Sequence, residues 1–275
     1  PLTAHDALIK AEDIDQFTIC DCDEILMPDP EPSEVERRVA KKIAEIIPDR
    51  ATVQLGIGTL PVAVGQALFN HRDLGIHSGV VSDVFVDLVE RGVVTNAYRG
   101  LDQGESSIGG LFGTRRLLEH ANNNTTVALR SVEYTHNPAV MAQIKALHTI
   151  NSAVEIDLTG QINSEVAAGR YLGAVGGQVD FVRGPRSSRG GRAIIAVPST
   201  TPDGKHSRIV HSLEGRPVTT ARSDVDIVVT EYGAAELWGQ PLSVRAERLA
   251  AIAHPDFRED LRSAAAGHSI ANVIQ

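Results

Sequence analysis

The chain has 275 residues, 42% apolar and 22% charged, an ordinary globular composition long enough for one large domain or two smaller ones. Lys and Arg total 26 against 35 Asp and Glu, a formal charge of −9, so composition gives no general reason to expect nucleic-acid binding, although a local basic patch could still serve a phosphate ligand. The sequence shows neither an apolar run of about 20 residues nor a charged-then-apolar leader, so the expectation is a cytoplasmic protein with no membrane association.

In chain order, Gln16 to Cys20 reads as a strand. The two cysteines, Cys20 and Cys22, have one residue between them, which makes a disulfide awkward, and no further ligands cluster nearby for a metal. They read as inert or packed thiols, and no metal is expected. Pro28, Pro30 and Pro32 form an extended linker. Residues 1–32 are therefore a lead-in and interdomain linker, and residues 33–275 the domain proper. Ser33 and Glu36 make a capping box for a helix carried by Val35, Val39, Ile43 and Ile46, which Pro48 and Asp49 stop. Strands are expected at Ala51–Leu55, Leu74–His77, Thr125–Leu129, Val154–Leu158, Arg192–Val197 and Val225–Thr230. Helices are expected at Pro61–Phe69, Asp83–Arg91, Pro138–Ala146, Ser243–Ala253 and Asp256–Ala265. This alternation predicts an α/β domain with a largely parallel sheet flanked by helices. The polar stretch Arg183–Arg192 reads as an exposed loop.

Four segments stand out chemically. Gln54 to Pro61 (QLGIGTLP) places Gly56 and Gly58 where a strand ends and a helix begins. Such a turn is either a tight structural corner or a loop that brings backbone N–H groups to a ligand. It lacks the third glycine of a dinucleotide fingerprint. Gly173 to Phe181 (GAVGGQVDF) is rich in glycine, and its amides suit an oxyanion hole or a bulged strand end. Ile150 to Glu165 is half strand, with Asn, Ser and Gln residues suited to tying down turns. Asp224 to Gly233 reads as a buried strand entering a helix, with Thr230 and Glu231 either helix caps or ligand groups at the strand's C-terminal end. The ten histidines show no metal spacing, and no Gly-x-Ser-x-Gly elbow occurs.

Taken together, Gly56-Ile57-Gly58 with Pro61, Asn151-Ser152-Ala153 with Asp157-Leu158-Thr159-Gly160-Gln161, Gly176-Gly177-Gln178-Val179-Asp180-Phe181 and Val229-Thr230-Glu231-Tyr232-Gly233 resemble the acetyl-CoA hydrolase/transferase family. The similarity is to its 4-hydroxybutyrate CoA-transferase-like branch of the family I CoA-transferases, and specifically to the C-terminal domain. It implies a CoA-transferase-like (NagB/RpiA-type) fold and an active site between two α/β domains. The expected substrates are an acyl-CoA and a small carboxylate. The expected partner is an N-terminal domain, removed or supplied as a separate subunit, and an oligomer. Within the family a glutamate attacks the thioester, giving an anhydride and then a glutamyl-CoA thioester. By resemblance the oxyanion donors are the amides near Val175 and Gly176, the assisting asparagine is Asn137, and Gly56, Gly58, Gly173, Gly177 and Gln178 line the coenzyme A site. The glutamate should close a Gly-Ile-His-Ser-Glu string, yet the sequence reads Gly75-Ile76-His77-Ser78-Gly79. Gly79 cannot form the covalent intermediate. Water or another acceptor could then do the chemistry, a carboxylate such as Asp83 or Glu105 could substitute, or the protein could bind CoA esters without turnover. Asp83 is otherwise expected to cap the helix that follows it.

Overall fold

The computed structural model describes residues 6, 8–21 and 24–267, so Cys22 lies outside the described part. Cys20 is exposed rather than packed. The strand expected at Gln16–Cys20 does not form. Phe17 and Ile19 are about 80% exposed there, and an extended run becomes a strand only with a partner to pair with. The proline linker carries no regular structure but is pinned in two places. The Met27 amide donates to the Gly113 carbonyl at 2.9 Å, and Asp29 Oδ2 accepts the Val84 amide at 2.8 Å.

Beyond the linker the chain alternates helix and strand. Helix α1 (Glu34–Ile46) leads through β1 (Thr52–Gln54), α2 (Thr59–Ala67), β2 (Gly75–Ser78), α3 (Asp83–Glu90), β3 (Ser106–Ile108), α4 (Arg115–Ala121) and β4 (Val127–Leu129). Two single-turn helices, α5 (Val132–Thr135) and α6 (Pro138–Met141), precede β5 (Leu147–Ser152). A β excursion follows in β6 (Glu155–Asp157), β7 (Ile162–Asn163), β8 (Val166–Ala167) and β9 (Arg170–Tyr171). The remaining elements are α7 (Gln178–Arg183), β10 (Arg192–Ala196), β11 (Ile209–Val210), β12 (Ile227–Thr230), β13 (Gly233–Glu236), α8 (Leu242–Ile252) and α9 (Pro255–Gly267). Both halves of the Ser33–Glu36 capping box are present, and Val39, Ala40 and Ile43 of α1 are buried.

Eight described strands form one sheet in the order β13-β12-β10-β5-β1-β2-β3-β4. Every neighbouring pair is parallel except β12–β13. Strand side chains alternate between two cores. Ile194, Ala196, Ile227 and Val229 join the core beneath α1, α2 and α3, whereas Ala193, Ile195, Val197 and Val228 join the core beneath α8 and α9. Burial on both faces is why these strands read as nearly continuous apolar runs. From β1 the chain moves outward through β2, β3 and β4, then returns to β5 on the other side of β1. The reversal makes the β1–β5 boundary a topological switch point, where open α/β sheets leave a crevice outside the strands' carboxyl ends.

Four local expectations need correction. The helix expected at Pro138–Ala146 ends at Met141: the amides of Ala142, Gln143 and Ile144 make only local turn bonds, and Lys145 and Ala146 then donate to the Arg99 and Arg189 carbonyls instead of continuing the helix. Arg183–Arg192 is not an exposed loop throughout. Its first residue ends α7, a 3-10 turn covers Gly184–Arg186, and Gly184, Pro185 and Ser188 are buried. Arg183 and Arg186 hold the buried Asp224 carboxylate at 2.8 and 3.3 Å. The strand through Val225–Thr230 enters no helix. It reverses into β13, with Thr230 paired to Gly233 at φ 156°. Thr230 Oγ1 donates to the Ile252 carbonyl at 2.6 Å, and the Glu231 carboxylate accepts the Ser199 amide and hydroxyl. Asp83 does not cap α3, whose amide partner is Asp29. It accepts the Thr114 amide and hydroxyl, both at 2.8 Å, and so ties α3 to the start of α4.

Candidate functional site

The carboxyl ends of the central strands collect the sequence's conspicuous loops at one edge. β1 runs out through Gly56-Ile57-Gly58 into α2, with Gly58 as the residue before the helix at φ 104°, a conformation that needs glycine. At the switch point Gln54 Oε1 accepts the Ile150 amide at 3.1 Å and lies 3.4 Å from Asn151 Nδ2, joining β1 to β5. Ser78 Oγ sits 2.7 Å from the Leu55 carbonyl and ties the exit of β2 to that of β1. Gly79 is the next residue.

The atoms nearest Gly79 explain what occupies the space beside it. A Cβ placed there would stand 3.0 Å from His136 Cε1, 3.2 Å from His136 Nε2 and 3.3 Å from Phe181 Cε2. On the other side of the imidazole lies Gly177, where any Cβ would collide with His136 Nε2. The His136 and Phe181 rings are 4.6 Å apart. His136, half-buried between two glycines and a phenyl ring, therefore brings Gly79 and Gly177 together. Sequence reasoning passed over His136, because no local signal marks a side chain whose contacts lie on β2 and α7. The one available hint was its place beside Asn137. Asn137 itself is exposed, and its Oδ1 accepts the Ala139 amide at 2.8 Å, capping α6.

The loop containing Gly173, Val175 and Gly176 is exposed, and Cβ atoms at Gly173 or Gly176 would meet open space. Gly176 has φ 57°. Gln178 opens α7 and donates to Thr220 Oγ1 at 3.2 Å. Of the substitute carboxylates, Asp83 is committed to Thr114. Glu105 precedes the first residue of β3, at the end of the strand opposite Gly109 and Gly79. A separate cleft of about 390 Å³ lies at the amino ends of β10 and β12, but its walls are already paired: Arg192 with Asp226, and Arg186 over the Trp238 ring. Among the described residues no group of three or more His, Cys, Asp or Glu side chains could hold a metal, and no helix is long and apolar enough to cross a membrane.

Gly109, at the end of β3, lies so close to Gly79 that a Cβ on it would be 2.6 Å from the Gly79 carbonyl oxygen. Backbone cannot rotate aside as a side chain can. Gly109→Ala is therefore expected to cost about 1–3 kcal/mol and to shift the Gly79 segment. Urea unfolding measures the cost, and an unchanged midpoint would contradict the close approach.

Beneath the edge lies a buried polar chain. His77 is fully buried; its Nε2–H donates to the Thr135 carbonyl at 2.8 Å, and its Nδ1 faces Arg99 Nη2 at 3.3 Å. Arg99, also fully buried, donates to Ser107 Oγ at 3.1 Å and to the Glu105 carbonyl. Asp102 Oδ2 accepts the Ser107 hydroxyl at 2.8 Å and the Tyr134 hydroxyl at 2.6 Å. Burial, with the Arg99 charge beside it, pushes His77 down to about 4, and burial lowers Arg99 to about 10. Burial alone would raise Asp102, but the Tyr134 and Ser107 hydroxyls and the Arg99 charge hold it below the usual carboxylate range. Burial and then Asp102 push Tyr134 up to about 12.

The sign of the His77 effect on stability follows. The unfolded chain takes up this proton near pH 6.5, whereas the folded chain resists until about pH 4. The stabilisation is complete above pH 6.5 and is lost progressively between pH 6.5 and 4. It should amount to roughly 3 kcal/mol. In urea titrations at a series of pH values, His77→Gln is expected to flatten that part of the curve. An identical pH slope in the variant would disprove the assignment.

Residues 113–265 match the family model described as the acetyl-CoA hydrolase/transferase C-terminal domain. The chain belongs to the acetyl-CoA hydrolase/transferase family. Its relatives include the 4-hydroxybutyrate coenzyme A transferase of Clostridium kluyveri, 44% identical over 95% of this chain and 61% of that protein. A second is the succinyl-CoA:acetate/propanoyl-CoA:succinate CoA transferase of Fasciola hepatica, 43% identical over 85% of this chain and 49% of that protein. Among solved structures, RipA from Yersinia pestis superposes with a TM-score of 0.84 at 42% identity, over 88% of this chain and 55% of that one. The chain thus spans between about half and three fifths of the length of these relatives. The family match begins at residue 113, yet β1, β2 and β3 belong to the same sheet as the strands beyond it.

Proposed function

We propose that this domain handles acyl-CoA thioesters at the carboxyl edge of its sheet, as part of an enzyme that hydrolyses the thioester or transfers its CoA or acyl group without a glutamyl intermediate. The observation that supports this reading is the convergence at the switch point. Leu55, which leads into the Gly56–Gly58 turn, is tied to Ser78 beside Gly79, and the open Gly173–Gly177 loop approaches the same point through His136. Backbone amides from such loops stabilise a developing oxyanion. Coenzyme A enters as part of the substrate, with a small carboxylate or water as acceptor. The length of the relatives supports a partner N-terminal domain, on the same or a separate polypeptide, that closes the site from above; an oligomeric assembly is part of the same proposal.

The test is incubation of the protein with a panel of short acyl-CoA thioesters and labelled acetate, alone and with the N-terminal half of the C. kluyveri transferase. CoA release or label exchange supports the reading. Absence of both across the panel refutes it. The position of Gly79 favours a second reading, an altered or inactive acyl-CoA-binding subunit. It requires CoA esters to raise the unfolding midpoint while no thiol is released, since a ligand at about a hundred times its dissociation constant contributes roughly 2.7 kcal/mol.

A further inference from the structure

The imidazole of His136 stands against the position from which the family glutamate is missing, and its hydrogen bonding leaves Nε2 free of a partner among the described residues. The Thr135 hydroxyl lies 3.3 Å from the Ser131 carbonyl and 2.9 Å from His136 Nδ1. The hydroxyl is assigned as donor to that carbonyl, and with its one proton so placed it receives the Nδ1–H. Nε2 then carries the lone pair. It makes no hydrogen bond among the described residues and lies against Gly177, with Gly79 also beside the ring. A glycine on each side is what gives an imidazole room there. Phe181 braces the ring, and the Thr135 carbonyl, one residue earlier, is fixed by His77.

We propose that His136 is the general base of a glutamate-independent hydrolysis, activating water for attack on an acyl-CoA thioester held at the edge beside Gly79 and the Gly173–Gly177 loop. The inference rests on the reading that this edge takes acyl-CoA. In the reaction Nε2 removes a proton from water as the hydroxyl oxygen bonds to the thioester carbon. The carbonyl oxygen becomes an oxyanion facing the Gly173–Gly177 amides. When the tetrahedral species collapses, the C–S bond breaks and the thiolate takes the proton back from the imidazolium. The products are the carboxylic acid, which ionises in solution, and free CoA, with no oxidation or reduction. Burial lowers the affinity of His136 for a proton, opposed by the charge of Asp180, so the ring is in its basic form at neutral pH. The titratable groups facing it are Asp180 on α7 and the neutral His77 on β2.

The test uses the protein with and without the N-terminal half of the C. kluyveri transferase, acetyl-CoA and butyryl-CoA as substrates, and water enriched in oxygen-18. Wild type is expected to release CoA and to place one heavy oxygen in the acid. His136→Ala is expected to lower kcat by about 10²- to 10⁴-fold with little change in KM. It should also lose the acidic limb of the kcat/KM profile and recover rate with added imidazole. A folded His136→Ala protein with wild-type kcat overturns the inference and leaves the acyl-CoA reading standing. So does an acyl group trapped covalently on His136, or turnover that requires a carboxylate acceptor and incorporates no heavy oxygen. Absence from wild type, in either preparation, of both CoA release and exchange with labelled acetate overturns both.

Discussion

Gly79→Glu alone is expected to yield no enzyme–CoA thioester, whereas Gly79→Glu combined with His136→Ala is expected to yield one that borohydride reduces. The reason is steric before it is chemical. A Cβ at position 79 already meets the imidazole at 3.0 Å and the Phe181 ring at 3.3 Å, tighter than ordinary packing. A glutamate carries four further heavy atoms, and the imidazole occupies the space beside them. Removing the ring vacates that space and removes the competing base. Restoring a covalent nucleophile is then worth orders of magnitude in rate, since each factor of ten corresponds to about 1.4 kcal/mol of barrier. The measurement is mass spectrometry of each variant after incubation with acyl-CoA and the N-terminal half of the C. kluyveri transferase. A thioester on the single variant would show that the imidazole is no obstacle. Its absence from the double variant would show that the surrounding loops no longer support the family's chemistry.

What the sequence disclosed, and what it withheld, follows the range of the interactions. The α1 capping box and the Gly58 turn were legible because each is set within four residues, by a side chain reaching its own helix start or by a backbone angle that only glycine adopts. The apolar runs of β10 and β12 were legible because both faces of those strands are buried. β3 and β13 were not. Ser106-Ser107-Ile108 looks polar because Ser107 serves the buried Arg99, and Gly233-Ala234-Ala235-Glu236 has only one fully buried side chain. Asp83 does not fill its expected role, since an aspartate at a helix start looks the same whether it caps its own helix or ties down the next one. His136 was hidden for the same reason: its neighbours are set by tertiary packing, and spacing along the chain carries no trace of them.

Asp102→Ala is expected to cost roughly 3 kcal/mol, because it removes the carboxylate that accepts the Ser107 hydroxyl and leaves the fully buried Arg99 cation poorly compensated. For a chain of this size that corresponds to a fall in the unfolding midpoint of roughly 6–12 °C. Asp102→Asn keeps an acceptor for one hydroxyl and should lose about half as much. The functional consequence exceeds the loss of stability. One hydrogen bond, His77 Nε2 to the Thr135 carbonyl at 2.8 Å, links the residue two before Gly79 to the residue one before His136. Arg99 holds the other nitrogen of His77, and Asp102 holds Arg99 in place through Ser107 and Tyr134 in place directly. The separation of Gly79 from His136 is thus set from beneath by the carboxylate of Asp102. Loss of that carboxylate should impair thioester turnover even at temperatures where the variant remains folded. Wild-type turnover in a folded but destabilised Asp102→Ala protein would show that the buried polar chain supports the fold alone and does not position the edge above it.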